Sequence, residues 1–356
     1  MGGTGSILHQ CPMQTRPPAR KESLMPKLVK QCVQWTTCLA LAAIAALPAG
    51  NALAQTGTPT FPTKPLRVLV PFAAGGGTDL MARVIAQKLS EALGQPVLVE
   101  NRPGGDTIVA ADILAKSPPD GYTMLVTLDI TLTTNPHLYA KLPYDPNKDF
   151  APISIVAISD LLVVAAAKTP FNDVAGLVSY ARANPTKLNY GSGATIAQIA
   201  AELLKQAAGT EMVFIPYKGA APTLTALLAG DIDLGIADFY SFLPAIKQGK
   251  IKAIAVTGTA RDPSLPDVRT TGEQGYPSVT LSSWWVMLGS AGTPASIIDR
   301  LNREVVRIVQ SKDFGERMAA LSIRPMGTSV AETIARQKAD YERWGPVIKA
   351  AGIKVQ

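Results

Sequence analysis

Residues 66–79 read LRVLVPFAAGGGTD, and the order of features within them decides the fold. The run 66–72 is short, apolar and broken by proline, the pattern of a strand buried on both faces. Gly75, Gly76 and Gly77 follow, and Thr78 or Asp79 then stands where a helix cap is expected. Behind them Met81, Ile85, Leu89 and Leu93 recur at helical spacing, with Gly94 as the stop signal and Pro96 just beyond. A strand that runs through glycines directly into a helix is the opening of a β-α-β unit.

The alternation continues outward from this point. Strands are predicted over 97–100 and 122–127 with a helix over 106–116 between them, which is the order of an open parallel sheet covered on both faces. A long β-rich run over 153–166 leads to a second unit. It comprises helices over 174–183, 196–208, 222–229 and 241–248, and strands over 188–190, 212–216, 232–236 and 251–257. A strand over 284–289 and a helix opened by Thr293-Pro294 follow, with Ile297, Ile298, Leu301, Val305 and Ile308 on one stripe, and two further helical patterns complete the chain. The expected fold is α/β with two lobes, residues 61–160 plus 255–356 forming the first and 161–254 the second. Two crossings between the lobes leave a cleft.

The N-terminus carries an export signal. Lys27 and Lys30 precede ten apolar residues, Cys38 to Leu47, and the small-residue site Ala52-Leu53-Ala54 completes a leader over residues 1–54, with cleavage before Gln55 and a complete signal already present from Met25. Ten residues at about 1.5 Å each span only half of a hydrocarbon core about 30 Å thick, so an anchor is disfavoured. Cys11, Cys32, Cys38 and His9 all lie in the leader, and His137 is the single histidine that remains. Disulfides and thiolate metal sites are thereby excluded from the mature chain. Five basic residues and one acid leave with the leader, so the totals of 34 and 27 become 29 and 26, a net charge of +3 with no long basic run. Nucleic acid is therefore not an expected partner.

The glycine loop is a ready anion site without a basic side chain, because Gly75 and Gly76 let backbone amides approach a ligand and the helix start carries about half a positive charge. A dinucleotide fingerprint beginning at Gly75 would require glycine at position 80, where Leu80 stands, and no Walker-type phosphate loop occurs. The second unit offers three more strand-to-helix loops: Tyr190 through Ser192, Gly193 and Thr195; Tyr217 through Gly219; and Asp238 through Ser241. Ser192 lacks the glycine at position 190 that a nucleophile elbow needs, and Asp238 reads as a helix cap or a ligand-orienting acceptor. Trp284-Trp285 reads as core or cleft lining. No catalytic residue, metal set or cofactor is expected.

Between residues 61 and 356 the chain resembles the periplasmic Bug or TctC-like receptors of tripartite tricarboxylate transporters. The likeness is carried by FPTKPLRVLVPFAAGGGTDLMAR, VLVENRPG, AKSPPDGYTML, NPHLYAKLPYDPNKDFAPIS, LNYGS, PYKGAAPTLTALLAG, LPAIKQGKIKAIAVTGTAR, SLPDV, SSWW and AGTPASIIDRLNREV, in that order. It implies a Venus-flytrap, type II-like fold whose lobes, each a mostly parallel sheet flanked by helices, close on a small mono- or dicarboxylate. It also implies delivery to integral-membrane permease subunits, and a monomer is expected. The ligand contacts it implies are Phe72, Gly75, Thr78, Asp79 and Thr127 from the first lobe, and Ser192, Gly193, Tyr217, Gly219 and Asp238 from the second. The loop reading adds Gly76 and Thr195. Departures from the family pattern at Asp106, the loop after Tyr190, Gln198 and Phe239-Tyr240 leave the ligand's identity open. A receptor that reports occupancy to a membrane sensor kinase is the alternative.

Overall fold

The computed structural model describes residues 61–354. The expected leader over residues 1–54 lies outside the described residues. In chain order the elements are β1 (Leu66–Val70), α1 (Gly77–Leu93), β2 (Val97–Asn101), α2 (Ile108–Ala115), β3 (Thr123–Leu128) and the short α3 (Ile130–Thr133) and α4 (Asn135–Leu138). Then come β4 (Phe150–Ala166), α5 (Val174–Ala183), β5 (Asn189–Ser192), α6 (Thr195–Ala208), β6 (Val213–Pro216), α7 (Ala220–Ala229), β7 (Leu234–Asp238), α8 (Phe239–Lys247) and β8 (Ile251–Val256). The chain ends with β9 (Ser282–Ser290), α9 (Ala295–Val309), α10 (Lys312–Ala319), β10 (Arg324–Pro325) and α11 (Val330–Ala350).

One strand serves two sheets. The first stretch of β4 pairs with β9 as far as Asp160 opposite Ser282, and from Leu161 opposite Asp238 the same strand pairs with β7. The strand order is β2-β1-β3-β9-β4-β7-β5-β6, with β10 and β8 on the other edge of β4. Strands β2, β1 and β3 run parallel, as do β6, β5 and β7. Into the first set β9 inserts antiparallel between β3 and β4, an arrangement that the forward order of the sequence does not suggest.

Both faces of both sheets are covered by helices, which explains the unbroken apolar character of the strands. Neighbouring residues of β4 enter different cores: Leu161, Val163 and Ala165 pack with α5 and α6, whereas Leu162, Val164 and Ala166 pack with α7 and α8. In the first sheet Val68, Val70, Met124 and Val126 face α1 and α9, and Leu69 and Leu125 face α2. The period-2 alternation of side chains is thus present, and it sorts residues between two interiors instead of between interior and solvent.

Helix α11 adds a third connection. Its capping box, Ser329 with Glu332, fixes its start beside the first sheet, while Trp344, Ile348 and the following Ile353 join the core of the second. The C-terminal segment assigned from sequence to the first lobe therefore ends packed into the second. Trp344 is 1% exposed and its Nε1 has no partner among the described residues. Trp344→Ala is expected to cost about 3–5 kcal/mol in urea unfolding. Trp344→Phe is expected to cost much less, because it removes a buried donor that is already unpaired.

Candidate functional site

Every parallel strand ends at the same cleft, and each passes directly into a helix or a loop that leads to one. The first half-turn after β1 is held from behind by Asp79, which is 2% exposed. Its Oδ2 accepts from Gly75 N (2.9 Å) and from Arg83 Nε (2.9 Å), and its Oδ1 accepts from Asn101 Nδ2 (2.9 Å), which also donates to Phe72 O. Burial by itself would raise the Asp79 pKa, but the bonds from Arg83, Gly75 and Asn101 outweigh it and hold the carboxyl below its usual range. Gly75 sits at φ +91°, a conformation that favours glycine, and its N–H is spent on Asp79.

The sequence placed the cap of α1 at Thr78 or Asp79, and the structure places it at Gly76, which uses no side chain. With the cap moved back, Thr78 falls inside the first turn and its Oγ1 accepts from Trp285 Nε1 at 2.8 Å. That bond fixes the indole against the cleft, where Trp285 forms part of the wall, while Trp284 points into the opposite core and donates to Asp340. The two tryptophans divide the two roles foreseen for the pair by strand alternation.

Opposite, β5 and β6 present two loops in mutual contact. Ser192 and Ala194 close a tight turn through Ser192 Oγ and Ala194 N (3.1 Å), and Tyr217 N donates to Ser192 O (3.0 Å). A Cβ on Gly193 would run into the Gly219 backbone, and Gly219 itself lies at φ +106°. The loops leading into α6 and α7 approach this closely because residue 193 has no side chain, while Gly219 supplies the left-handed backbone beside it. After β7, Asp238 caps α8 by accepting from Ser241 N (3.0 Å), and burial pushes its carboxyl pKa up.

These loops enclose two connected chambers. The inner one, about 290 Å³, is walled by Phe72, Leu128, Leu161, Ile196, Trp285 and Tyr240, with Ser159 and Ser283 on its floor. The starts of four helices open onto it: α1 at Gly76 to Thr78, α6 at Ala194 to Ala197, α7 at Gly219 and Ala220, and α8 at Asp238 to Tyr240. The first amides of a helix have no intrahelical partner, and each start carries about half a positive charge. No lysine or arginine lines this chamber among the described residues. The outer chamber, about 340 Å³, shares Phe72, Leu128, Gly193 and Ser283 and adds Ser192, Thr195, Gln198 and Tyr217, with Asp106, Lys218 and Lys354 toward solvent.

Of the residues singled out in the sequence, Phe72, Gly76, Thr78, Gly193, Gly219 and Asp238 line the inner chamber, and Ser192, Thr195 and Tyr217 line the outer one. Gly75, Asp79 and Thr127 line neither. Gly75 and Asp79 bond each other behind the loop, and Thr127 is fully buried in a hydroxyl chain with Thr131 and Thr107, each link 2.7 Å. Sequence reading missed Leu128, Ser159, Leu161, Ile196 and Ser283. Ile196 lies in the first turn of α6, and the other four sit at strand ends and crossings that the pairing of β4 with β9 and β7 brings together. His137 is structural: its Nε2 contacts Tyr341 O at 2.9 Å, and a Cβ on Gly345 would meet its ring at 2.8 Å. No group of three or more potential metal ligands occurs among the described residues, and none of their helices is long and apolar enough to cross a membrane.

Two α/β lobes joined by a shared strand, with helix starts converging on the cleft between them, define a solute receptor of the periplasmic binding protein type. The chain belongs to the tripartite tricarboxylate transporter family receptors, whose sequence model, TctC, matches residues 81–353. It is 33% identical to protein BugT of Bordetella pertussis over 324 residues, which covers 90% of this chain and 99% of that protein. It superimposes on an R. palustris protein solved with adipate at a TM-score of 0.73, with 35% identity over 83% of this chain and 99% of the other. It also superimposes on MatC of Rhodopseudomonas palustris, solved with bound malate, at a TM-score of 0.69, with 30% identity over 81% of this chain and all of that one. The family is one of receptors and not of enzymes, and the same holds for this chain.

The contact between the two glycine loops supports a direct test. Gly193→Ala is expected to force α6 and α7 apart and to lower the thermal midpoint by several degrees, since a clash against backbone costs about 1–3 kcal/mol. An unchanged midpoint would show that the loops separate freely.

Proposed function

We propose that this chain is a periplasmic receptor that captures a small mono- or dicarboxylate in the cleft and hands it to the membrane permease of a tripartite tricarboxylate transporter. The observation that carries the reading is the convergence of four helix starts on a chamber that is largely apolar and has no cation of its own. Unpaired amides aimed at one point recognise a carboxylate by geometry as well as by charge. The chamber's volume suits a compact acid, and the apolar walls suit a short methylene chain. The two solved neighbours described above hold dicarboxylates. The leader read at the N-terminus supports a periplasmic location, and the change of sheet between Asp160 and Leu161 is the natural pivot for closure of lobes 61–160 plus 255–356 and 161–254.

Isothermal titration of the mature chain against a panel of mono-, di- and tricarboxylates tests this, and heat from at least one acid is expected. Folded protein that stays silent across the panel would remove the reading. Gly76→Val is expected to weaken binding by at least about tenfold with the thermal midpoint unchanged. A Cβ at Gly76 meets nothing closer than 3.8 Å, and Gly76 lines the chamber at the start of α1, so the expected effect of the added bulk is on the ligand's approach to the amides and not on the scaffold.

Asp238 sets a preference within the class. Burial raises its pKa, because an unpaired charge is costly there, and the ionised form opposes an anion unless the ligand offers a donor. Asp238→Asn keeps an oxygen for the Ser241 cap and removes the charge. Competition between adipate and malate is expected to shift toward adipate in this variant, since malate alone brings a hydroxyl donor, and an unchanged ratio would exclude Asp238 from ligand contact.

A further inference from the structure

Directly behind the cleft wall lies an ionisable group with no part in the contacts described so far. Asp129 follows Leu128, which lines both chambers, and precedes Ile130, which lines the outer one. The residue is 0% exposed. Its Oδ1 is bonded to Ser283 Oγ (2.7 Å) and to Trp284 N (3.2 Å), and its Oδ2 has no partner among the described residues. Although it occupies the cap position of α3, its side chain makes no capping bond. An ionised carboxylate with one oxygen unsatisfied in a dry interior is costly.

The surrounding charges come from α11. Asp340 accepts from Trp284 Nε1 (2.8 Å) and Arg336 Nε (2.7 Å), and both Asp340 and Arg336 act on Asp129. Burial raises the Asp129 pKa, the bond from Ser283 opposes that, the negative charge of Asp340 raises it again, and Trp284 N and Arg336 lower it, leaving it pushed up to about 7.

The geometry couples this group to the ligand chamber through one hydroxyl. Ser283 lines both chambers and has a single proton to give. When Asp129 is ionised, that proton is committed to Oδ1, and Ser283 turns only lone pairs toward the cleft. When Asp129 is neutral, its own proton can lie on Oδ1 and be donated to Ser283 Oγ, while Trp284 N–H still finds a lone pair on Oδ1. The Ser283 proton is then free for an acceptor in the cleft. We propose that Asp129 is a positioning residue that sets the donor direction of the Ser283 hydroxyl, so that capture of an anionic ligand takes up one proton from solvent onto Asp129. The inference rests on the carboxylate reading of the cleft. No bond of the ligand changes; the proton leaves the buffer and is returned to it on release.

The test is titration calorimetry of the mature wild-type chain, Asp129→Asn and Ser283→Ala with adipate and with malate between about pH 6.5 and 8.5, in buffers of different ionisation enthalpy. Wild type is expected to take up protons on binding, and its dissociation constant to rise by up to about tenfold per pH unit above 7. Both variants are expected to show a flatter profile and a smaller uptake. Every ionisable group other than Asp129 is the same in all three chains, so the difference isolates the Asp129–Ser283 pair. Variants that follow the wild-type profile, or wild-type binding without proton uptake, would overturn the proposal and leave the carboxylate reading standing. If both acids are silent, the same three chains are titrated with the acid of the panel that binds wild type, and silence of folded protein across that panel would remove both readings. If Asp129→Asn does not fold, Ser283→Ala carries the comparison alone.

A second measurement tests the titration of Asp129 directly. Its folded pKa lies above the unfolded value of about 4, so its neutral form stabilises the fold fully below that value and the contribution is lost as pH rises through 7. The midpoint of unliganded wild type is expected to fall relative to Asp129→Asn across that interval, and parallel curves would count against the proposal.

Discussion

The cleft depends on a mismatch built into every α-helix: the first turn has amide protons with nothing in the helix to accept them. In this chain the carboxyl ends of the strands aim four such turns at one chamber. The glycines that permit this are placed by steric need. Gly193 allows two loop backbones to touch, Gly219 takes up the left-handed turn beside it, and Gly76 leaves the start of α1 bare. Asp79 and Asn101 hold the α1 loop from behind, and Asp238 spends one oxygen on its own helix. The side chains behind these loops are thus spent on the scaffold, and the helix starts are left to face the cleft.

Recognition by neutral dipoles differs from recognition by a buried arginine. A lone cation in an apolar chamber would carry a large desolvation penalty in the empty state. Helix starts carry fractional charge that is already fixed by the fold, and the empty chamber can be filled by water without an unpaired ion. Such a site leaves no unpaired ion behind when it is emptied, which suits a protein that must give up its cargo as well as take it.

Much of the architecture was legible in the sequence, because glycine and proline punctuate the alternation of strands and helices so regularly. Helix α5 falls on the predicted residues, and most other elements agree to within two or three positions. The two-sided burial of the strands was legible as well, from their unbroken apolar runs. The antiparallel insertion of β9 was not, because pairing partners more than a hundred residues apart leave no local pattern. Nor was the passage of Trp344 and Ile348 into the second core.

The site was legible at the level of loops and only partly at the level of side chains. The glycine loops are where the sequence puts them. Thr78 and Asp79 look like caps, but a glycine took that position, and the freed side chains were recruited to hold Trp285 and the loop backbone. Thr127 follows the strand end expected to reach the ligand, yet it lies one residue too early, and it is Leu128 that reaches the chamber. A strand turns successive residues to opposite sides, so an error of one position exchanges wall for interior.

The placement of β9 has a consequence for how the molecule comes together. Strands β5, β6, β7 and β8 are contiguous in the chain with the second stretch of β4, so the second sheet is closed by local sequence. The first sheet has a gap between β3 and β4 that only residues 282–290 can fill. Its edge strands are made early, but its middle arrives after the other lobe's entire sequence. In the order of synthesis the second sheet therefore has all its strands before the first, while its core still waits for Trp344 and Ile348 at the end of the chain, so neither half is finished before the last helix is made.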